Sequence, residues 1–246
     1  MFENVGFRYP DAEQWAVRHL DFELRAGEVL ALVGENGAGK TTLVKLLARL
    51  YDPDEGRILL DGRDLREYDL FALRSSIGVI FQDFVRFHLS AADNIAVGRI
   101  EARGDRARIE EAARRSLADE VVAKLPGGYE QLIGRRFRTG VDLSGGEWQK
   151  IAIARAYMRD AQVMILDEPT AALDARAEYE VFQRFKELSE GRTALLISHR
   201  FSSVRMADRI VVLADGKVED IGTHQELLAR GGRYKELFEL QAAGYR

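Results

Sequence analysis

Alternating and clustered apolar positions dominate the first sixty residues. Residues 4–9 and 21–24 alternate between apolar and polar side chains, and residues 56–60 lead into an Asp61-Gly62 pair. Alternation places one set of side chains on one face of a sheet, and Asp-Gly is a favoured hairpin turn. We therefore expect an antiparallel β subdomain at the N-terminal end of the chain.

Short apolar runs without polar interruption occur further along the chain. They occupy residues 28–33, 76–81, 162–166, 193–197 and 209–213. Runs of this kind are typical of strands that are covered on both faces, as in parallel sheets. Helical patterns separate several of them, at about 175–189 for example, and two short amphipathic helices follow from Thr223, divided at Gly231-Gly232. The order predicts a three-layer α/β core with a mainly parallel sheet.

Between residues 83 and 158 the periodicity changes to that of helices. Apolar residues recur every four positions and predict one helix, which ends at Pro126-Gly127-Gly128; they are Ile109, Ala113, Leu117, Val121 and Leu125. We expect residues 83–158 to form a helical subdomain inserted into a core of residues 1–82 and 159–246.

Composition narrows the classes of function. The chain has 246 residues, 46% of them hydrophobic, so it has enough apolar material for a core. A net charge of −4 gives no basic footprint for nucleic acid. The absence of cysteine excludes disulfides, thiolate metal sites and cysteine nucleophiles. The four histidines are too scattered in sequence to indicate a metal cluster, and no apolar run approaches the roughly 18 residues of a membrane span.

A glycine-rich segment follows the predicted strand at 28–33 and precedes a helical pattern. Its residues Gly34-Glu35-Asn36-Gly37-Ala38-Gly39-Lys40-Thr41 fit G-x-x-x-x-G-K-[ST], and Thr42 follows directly. Glycines let backbone N–H groups converge on an anion at a helix N-terminus, while Lys40 places a charge on the β- and γ-phosphates and Thr41 offers a hydroxyl to Mg²⁺. A glycine turn with an exposed lysine is the alternative, but the flanking strand and helix favour nucleotide binding.

Two carboxylates come directly after the apolar run at 162–166. Asp167 at the end of a strand is suited to holding Mg²⁺, and Glu168 to polarising a water for attack on the γ-phosphate. The alternative is that one of them only caps the following helix.

A second candidate anion site precedes the helical run at 148–158. It consists of Leu143-Ser144-Gly145-Gly146-Glu147. A serine followed by two glycines at a helix start is suited to an anion. One nucleotide needs one such cradle, so two of them suggest that two chains meet head to tail. A serine-capped helix without a ligand is the alternative.

In content and order, these motifs resemble the nucleotide-binding domain of an ATP-binding cassette (ABC) transporter over nearly the whole chain. The other positions at which this chain resembles that family are Tyr9, Gln82, Ala171-Ala172-Leu173-Asp174 and His199. The resemblance implies a motor domain that binds ATP and Mg²⁺, hydrolyses ATP, and drives translocation through a membrane domain.

The resemblance also implies roles for single residues. Tyr9 stacks on adenine, and the phosphate loop and Ser144, Gly145, Gly146 and Glu147 bind ATP. Gln82 joins Thr41 and Asp167 around Mg²⁺ and links the site to the membrane domain. Leu173 and Asp174 lie at the dimer interface, while His199 contacts the γ-phosphate and positions the catalytic Glu168, with Lys40 and Gln82 in the same catalytic set.

Several segments resemble the exporter type of the family, among them residues 51–56, 222–228 and 234–241. Others depart from its usual pattern: Glu147 and Lys150 stand where glutamine and arginine are frequent, and residues 135–140 lack Gly-Glu-x-Gly. The expected partners are a transmembrane domain, fused or separate, and a second nucleotide-binding domain, identical or not, at the cytoplasmic face of the cell membrane. No nucleic-acid partner is expected.

Two alternatives stay open on these residues. A soluble ABC ATPase that acts on ribosomes or DNA would be supported by a second cassette, coiled-coil arms or a zinc hook, and the sequence has none of them. A nucleotide binder without turnover is disfavoured by the intact Lys40, Asp167, Glu168 and His199.

Overall fold

A computed structural model describes residues 1–81, 83–134, 136, 138–167, 183–198 and 200–244. The chain divides into two compact units. The first comprises Met1–Val79, Gln162–Glu168 and Gly191–Arg246, and the second comprises Ile80–Ala161 and Pro169–Glu190. Within the ranges above, no helix combines the length and hydropathy that crossing a bilayer requires.

The strands in the described part of the chain are β1 (Phe2–Phe7), β2 (Val17–Phe22), β3 (Val29–Val33), β4 (Glu55–Leu60), β5 (Arg63–Asp64), β6 (Ile77–Ile80), β7 (Val163–Asp167), β8 (Thr193–Ile197), β9 (Arg209–Ala214) and β10 (Lys217–Gly222). The helices are α1 (Lys40–Leu47), α2 (Leu70–Ser76), α3 (Ala91–Ala96), α4 (Arg106–Ser116), α5 (Ala118–Val122), α6 (Gly145–Arg159), α7 (183–189), α8 (Phe201–Val204), α9 (His224–Arg230) and α10 (Gly232–Gly244). Short 3₁₀ segments occupy Leu65–Glu67, Val97–Ala102 and Gly128–Glu130.

A four-stranded sheet in the order β2-β1-β4-β5 confirms the predicted antiparallel subdomain. Asp61 and Gly62 join β4 to β5 with φ of 50° and 78°. Positive φ at both central residues is the requirement of a type I′ hairpin turn, which explains the Asp-Gly pair at this point.

The second sheet has the order β10-β9-β3-β8-β7-β6. The pairs β9–β3, β3–β8 and β8–β7 are parallel, and the β10–β9 pair is antiparallel. Leu30, Ala31 and Leu32 in the central strand β3 are fully buried, as expected for a strand covered on both faces. The predicted mainly parallel core is therefore confirmed, and the carboxyl ends of β3, β7 and β8 share one edge.

The C-terminal helices cover part of one face of this sheet. Phe201 of α8 and Tyr234 of α10 pack in a cluster with Ala31, Val33 and Ile210. Tyr234 is almost fully buried, and its hydroxyl lies 2.6 Å from Nδ1 of His224. The predicted pair of tail helices is present. Gly231 follows α9 and Gly232 begins α10, with φ of 80° and 73°.

The second unit is mainly helical in its described residues, but the helix predicted from the four-residue repeat is two helices. Leu117, with φ of 61°, ends α4 and begins α5. The apolar face survives the break, since Ile109, Ala113 and Val121 are all buried. The expectation of one continuous helix was therefore wrong. A residue in the left-handed conformation interrupts the helix, and the apolar side chains before and after the break are still buried.

Candidate functional site

The glycine-rich loop connects β3 to α1, which begins at Lys40. Gly37 and Gly39 have φ of 86° and 101°, the left-handed region that favours glycine. Space also requires glycine, because a Cβ at Gly34 would lie 2.4 Å from the carbonyl oxygen of Leu213. The backbone thus bends tightly into the first turn of a helix, where free N–H groups and the helix dipole favour an anion.

Lys40 is the charged centre of this loop. Its side chain is 7% exposed, and Nζ donates to the carbonyl oxygens of Gly34 at 2.7 Å and Glu35 at 2.9 Å. The two bonds close the backbone of the loop around the ammonium. A lysine held in this position presents a fixed positive charge to phosphate oxygens at the N-terminus of α1.

Tyr9 lies beside the first turns of α1. Its hydroxyl is 3.2 Å from Oγ1 of Thr42 and 3.3 Å from Nζ of Lys45, which also lies 5.0 Å from the ring centroid. Tyr51 meets the same ring edge-on at 5.6 Å. Tyr9 and Tyr51 line an open cleft of about 400 Å³ with residues 7–12 and Asp54. An aromatic surface therefore adjoins the phosphate loop, as stacking of a base requires.

Two oxygen donors for a metal ion lie on adjoining elements. Thr41 is exposed on α1, and Asp167 is the last residue of β7, 4% exposed, with α1 packed against that strand. A hydroxyl and one carboxylate fit Mg²⁺, which is commonly held by one or two carboxylates together with phosphate and water. Among the residues whose positions are described, no group of three His, Cys, Asp or Glu forms a separate metal site.

Ser144 caps the N-terminus of α6 in the second compact unit and forms a capping box with Glu147. Ser144 donates to Oε2 of Glu147 through its backbone N at 2.9 Å and through Oγ at 2.8 Å, and Oγ lies 3.3 Å from the Glu147 amide. These bonds, the backbone one first, hold the pKa of Glu147 below its usual range. A carboxylate is therefore bonded to the serine that was predicted to bind an anion. The spacing S-x-x-E is the sequence signal that would have identified this contact.

Arg155 anchors α6 from within the same unit. It donates to the carbonyl oxygen and Oδ1 of Asn94 at 2.9 and 2.8 Å and to the carbonyl oxygen of Val85 at 2.7 Å. Its guanidinium also lies 5.1 Å from the ring centroid of Phe87. Burial lowers the pKa of Arg155 to about 10, so the side chain stays a cation at neutral pH. The helix that Ser144 caps is in this way fixed to α3 and to the segment before it.

The remaining predicted site residues lie outside the described part of the chain: Gln82, Glu168, Leu173, Asp174 and His199. Their roles stay predictions. The structure brings together Tyr9, the phosphate loop, Thr42 and the elements that carry Thr41 and Asp167, all within the first compact unit. Ser144, Gly145, Gly146 and Glu147 belong to the second unit.

Known proteins resemble this chain along almost its whole length. The sequence profile of the ABC transporter family matches residues 17–171. The ATP-dependent lipid A-core flippase of Alkalilimnicola ehrlichii is 47% identical over 243 residues, which are 99% of this chain and 41% of that protein. The flippase of the same name from Escherichia coli strain K12 is 44% identical over 240 residues, 98% of this chain and 40% of that protein.

A solved structure agrees with the fold. A bacterial Atm1-family ABC exporter with ATP bound superposes with a TM-score of 0.90 and 40% identity, over 98% of this chain and 41% of that one. The chain spans about two fifths of the length of these relatives. From its sequence and its fold, the chain belongs to the ABC transporter family and is an ATP-binding ATPase domain of that family.

Proposed function

We propose that this chain is the motor domain of an ABC exporter and that it hydrolyses ATP in order to drive a membrane domain. The observation that carries the proposal is the phosphate loop closed around the buried Lys40, beside the strand that ends at Asp167. A fixed cation, a helix N-terminus and a metal-holding carboxylate are what transfer of a γ-phosphoryl group to water requires.

The predicted site residues each have a part in this proposal. Lys40 and the loop amides bind the β- and γ-phosphates, Tyr9 stacks on adenine, and Thr41, Asp167 and Gln82 would hold Mg²⁺. Mg²⁺ held by these residues would supply positive charge against the charge that develops on the phosphates. Glu168 accepts a proton from the attacking water, and His199 orients Glu168 and contacts the γ-phosphate.

The proposed working unit contains a second such domain and a transmembrane domain at the cytoplasmic face of the cell membrane. Ser144–Gly146 of one copy would cover the nucleotide held by the other, with Leu173 and Asp174 at the interface between them. Relatives named as flippases support an exporter. They match nearly the whole chain, so a soluble ABC ATPase acting on ribosomes or DNA is not favoured.

Two substitutions test the proposal. Lys40→Ala is expected to lose ATP binding, and Glu168→Gln to bind ATP but to lose at least about 100-fold in hydrolysis rate. ATP affinity is measured by calorimetry and turnover by phosphate release. Lys235→Ala and Glu187→Gln remove the same charges at exposed ion pairs and serve as controls. Near wild-type hydrolysis by Glu168→Gln would show that another group is the base.

A further inference from the structure

Tyr234, the residue after Arg233, anchors the start of α10 in the core. Tyr234 is 2% exposed and packs edge-on against Phe201 at 5.3 Å. Further along α10, Oε1 of Gln241 accepts a hydrogen bond from the Phe201 amide at 2.7 Å. The backbone that carries Arg233 is therefore held by core packing, which reduces the conformational entropy lost when its side chain forms a contact.

The Arg233 side chain bridges two elements. Nε lies 2.8 Å from Oε2 of Glu219 on β10, and NH1 lies 2.9 Å from Oε1 of Glu35 in the phosphate loop. Glu219 first, and then Glu35, raise the pKa of Arg233. The rigid fork of a guanidinium makes such a two-directional contact, which a lysine ammonium matches poorly.

Glu35 contributes to the loop in two ways. Its carbonyl oxygen accepts a hydrogen bond from Nζ of Lys40 at 2.9 Å, while its side chain carries a negative charge and is 63% exposed. Glu35 directly follows Gly34, so its negative charge lies within the loop that is proposed to bind the polyanionic phosphates of ATP. Without a counter-charge, the Glu35 carboxylate would repel the phosphates that the loop binds.

We propose that Arg233 is a positioning residue for the nucleotide: it turns the Glu35 carboxylate toward the C-terminal helix and neutralises its charge. The tail helix thereby sets the affinity of the phosphate loop for ATP without contacting the nucleotide. This inference rests on the proposed binding of ATP at Lys40.

A double-mutant cycle tests the inference. Arg233→Ala is introduced into the wild-type protein and into the Glu35→Gln variant, and ATP dissociation constants are measured by calorimetry at low and high salt. We expect a three- to tenfold weaker affinity in the wild-type background and less than a twofold change in the Glu35→Gln background. Salt should shrink the first effect, because screening weakens interactions between exposed charges.

Arg230→Ala is the matched control. Arg230 lies in the same tail and bonds to Asp220 and Ile221 of β10, and these described contacts do not include the phosphate loop. The Arg230→Ala substitution removes one positive charge, as Arg233→Ala does. The ATP affinity of this control variant should stay within twofold of the wild type. Circular dichroism melts confirm that each variant is folded.

The outcomes separate the two proposals. Arg233→Ala with wild-type affinity, or with a loss that Glu35→Gln fails to suppress, would overturn the role of Arg233 alone. A wild-type protein whose ATP affinity is no greater than that of Lys40→Ala would overturn ATP binding at this loop, and the inference with it.

Discussion

Tyr9 makes two kinds of contact that substitution can separate. Its hydroxyl meets Thr42 and Lys45, and its ring adjoins the open cleft beside the loop. Tyr9→Ala should weaken ATP binding by about 1–3 kcal/mol, the range for base–aromatic stacking. Tyr9→Phe keeps the ring and loses only the two contacts of the hydroxyl, so its loss of ATP affinity should be smaller than that of Tyr9→Ala.

Calorimetric titration with ATP measures both variants. Phe71→Ala removes an aromatic that is 72% exposed on α2 and is not among the residues lining the cleft, so it serves as the control. Equal losses for Tyr9→Ala and Tyr9→Phe would mean that the hydroxyl contacts, rather than stacking, account for the affinity.

Glu147 gives a second prediction for a single residue. Its carboxylate accepts hydrogen bonds from the hydroxyl and the backbone amide of Ser144. Ser144 is the residue that we propose to cover the nucleotide held by a partner chain. Glu147→Gln preserves a capping box, since glutamine also serves at that position. It removes a negative charge from the proposed phosphate contact.

We therefore expect Glu147→Gln to strengthen ATP-dependent dimerisation several-fold in the Glu168→Gln background, measured by analytical ultracentrifugation. ATP affinity of the monomer should change much less. Glu226→Gln alters the equivalent capping residue of α9 and provides the control. Weaker dimerisation of Glu147→Gln would show that the carboxylate assists the contact.

Among the elements, the sheet was predictable and one helix was not. Parallel strands such as β3 and β8 need apolar residues on both faces, so their runs stand out in the sequence. The sequence around Leu117 contains no comparable signal for a helix break. A leucine at φ of 61° is unfavourable in isolation, and neither glycine nor proline adjoins it, so the break between α4 and α5 follows from packing that a four-residue repeat does not encode.

The same distinction applies to the site. The phosphate loop is local, and its glycines, lysine and threonine are needed in one order, so a pattern predicts it. The contact of Glu35 with Arg233 joins residues 198 positions apart through an exposed ion pair. Nothing in either local sequence marks that contact, because the fold of β10 and α10 creates it.

Arg155 determines how firmly α6 is attached to α3. Replacing it with methionine would leave Oδ1 of Asn94 and two backbone carbonyl oxygens without their charged donor. Loss of hydrogen bonds from a charged group of this kind costs about 1.5–3 kcal/mol. Arg155→Met should lower the free energy of unfolding by about that amount, measured by urea denaturation.

Arg114→Met is the comparison for Arg155→Met. Arg114 pairs with Glu111 on the surface of α4, where solvent screens the ion pair and its contribution to stability is small. Similar losses for the two variants would mean that the buried hydrogen bonds of Arg155 contribute no more than a surface pair.

At the scale of the whole molecule, the two segments proposed to bind anions belong to different compact units, the phosphate loop to one and Ser144 to the other. A two-fold assembly in which each copy supplies the loop to one nucleotide and the serine to the other uses both segments twice and closes on itself. ATP should promote this assembly and ADP should not, because only the γ-phosphate is proposed to meet both chains.

Light scattering on Glu168→Gln with ATP tests the assembly, since blocked turnover keeps the complex together. The isolated domain is expected to dimerise weakly, because a shared membrane domain would otherwise raise the effective concentration. Adding Ser144→Phe should return the protein to monomer and leave ATP binding at Lys40 largely intact. Thr223→Phe removes a threonine with the same capping-box geometry at α9 and should leave the dimer in place. A Glu168→Gln protein that stays monomeric at high concentration with saturating ATP would contradict the proposed assembly. Ser144 would then have only the role of capping α6.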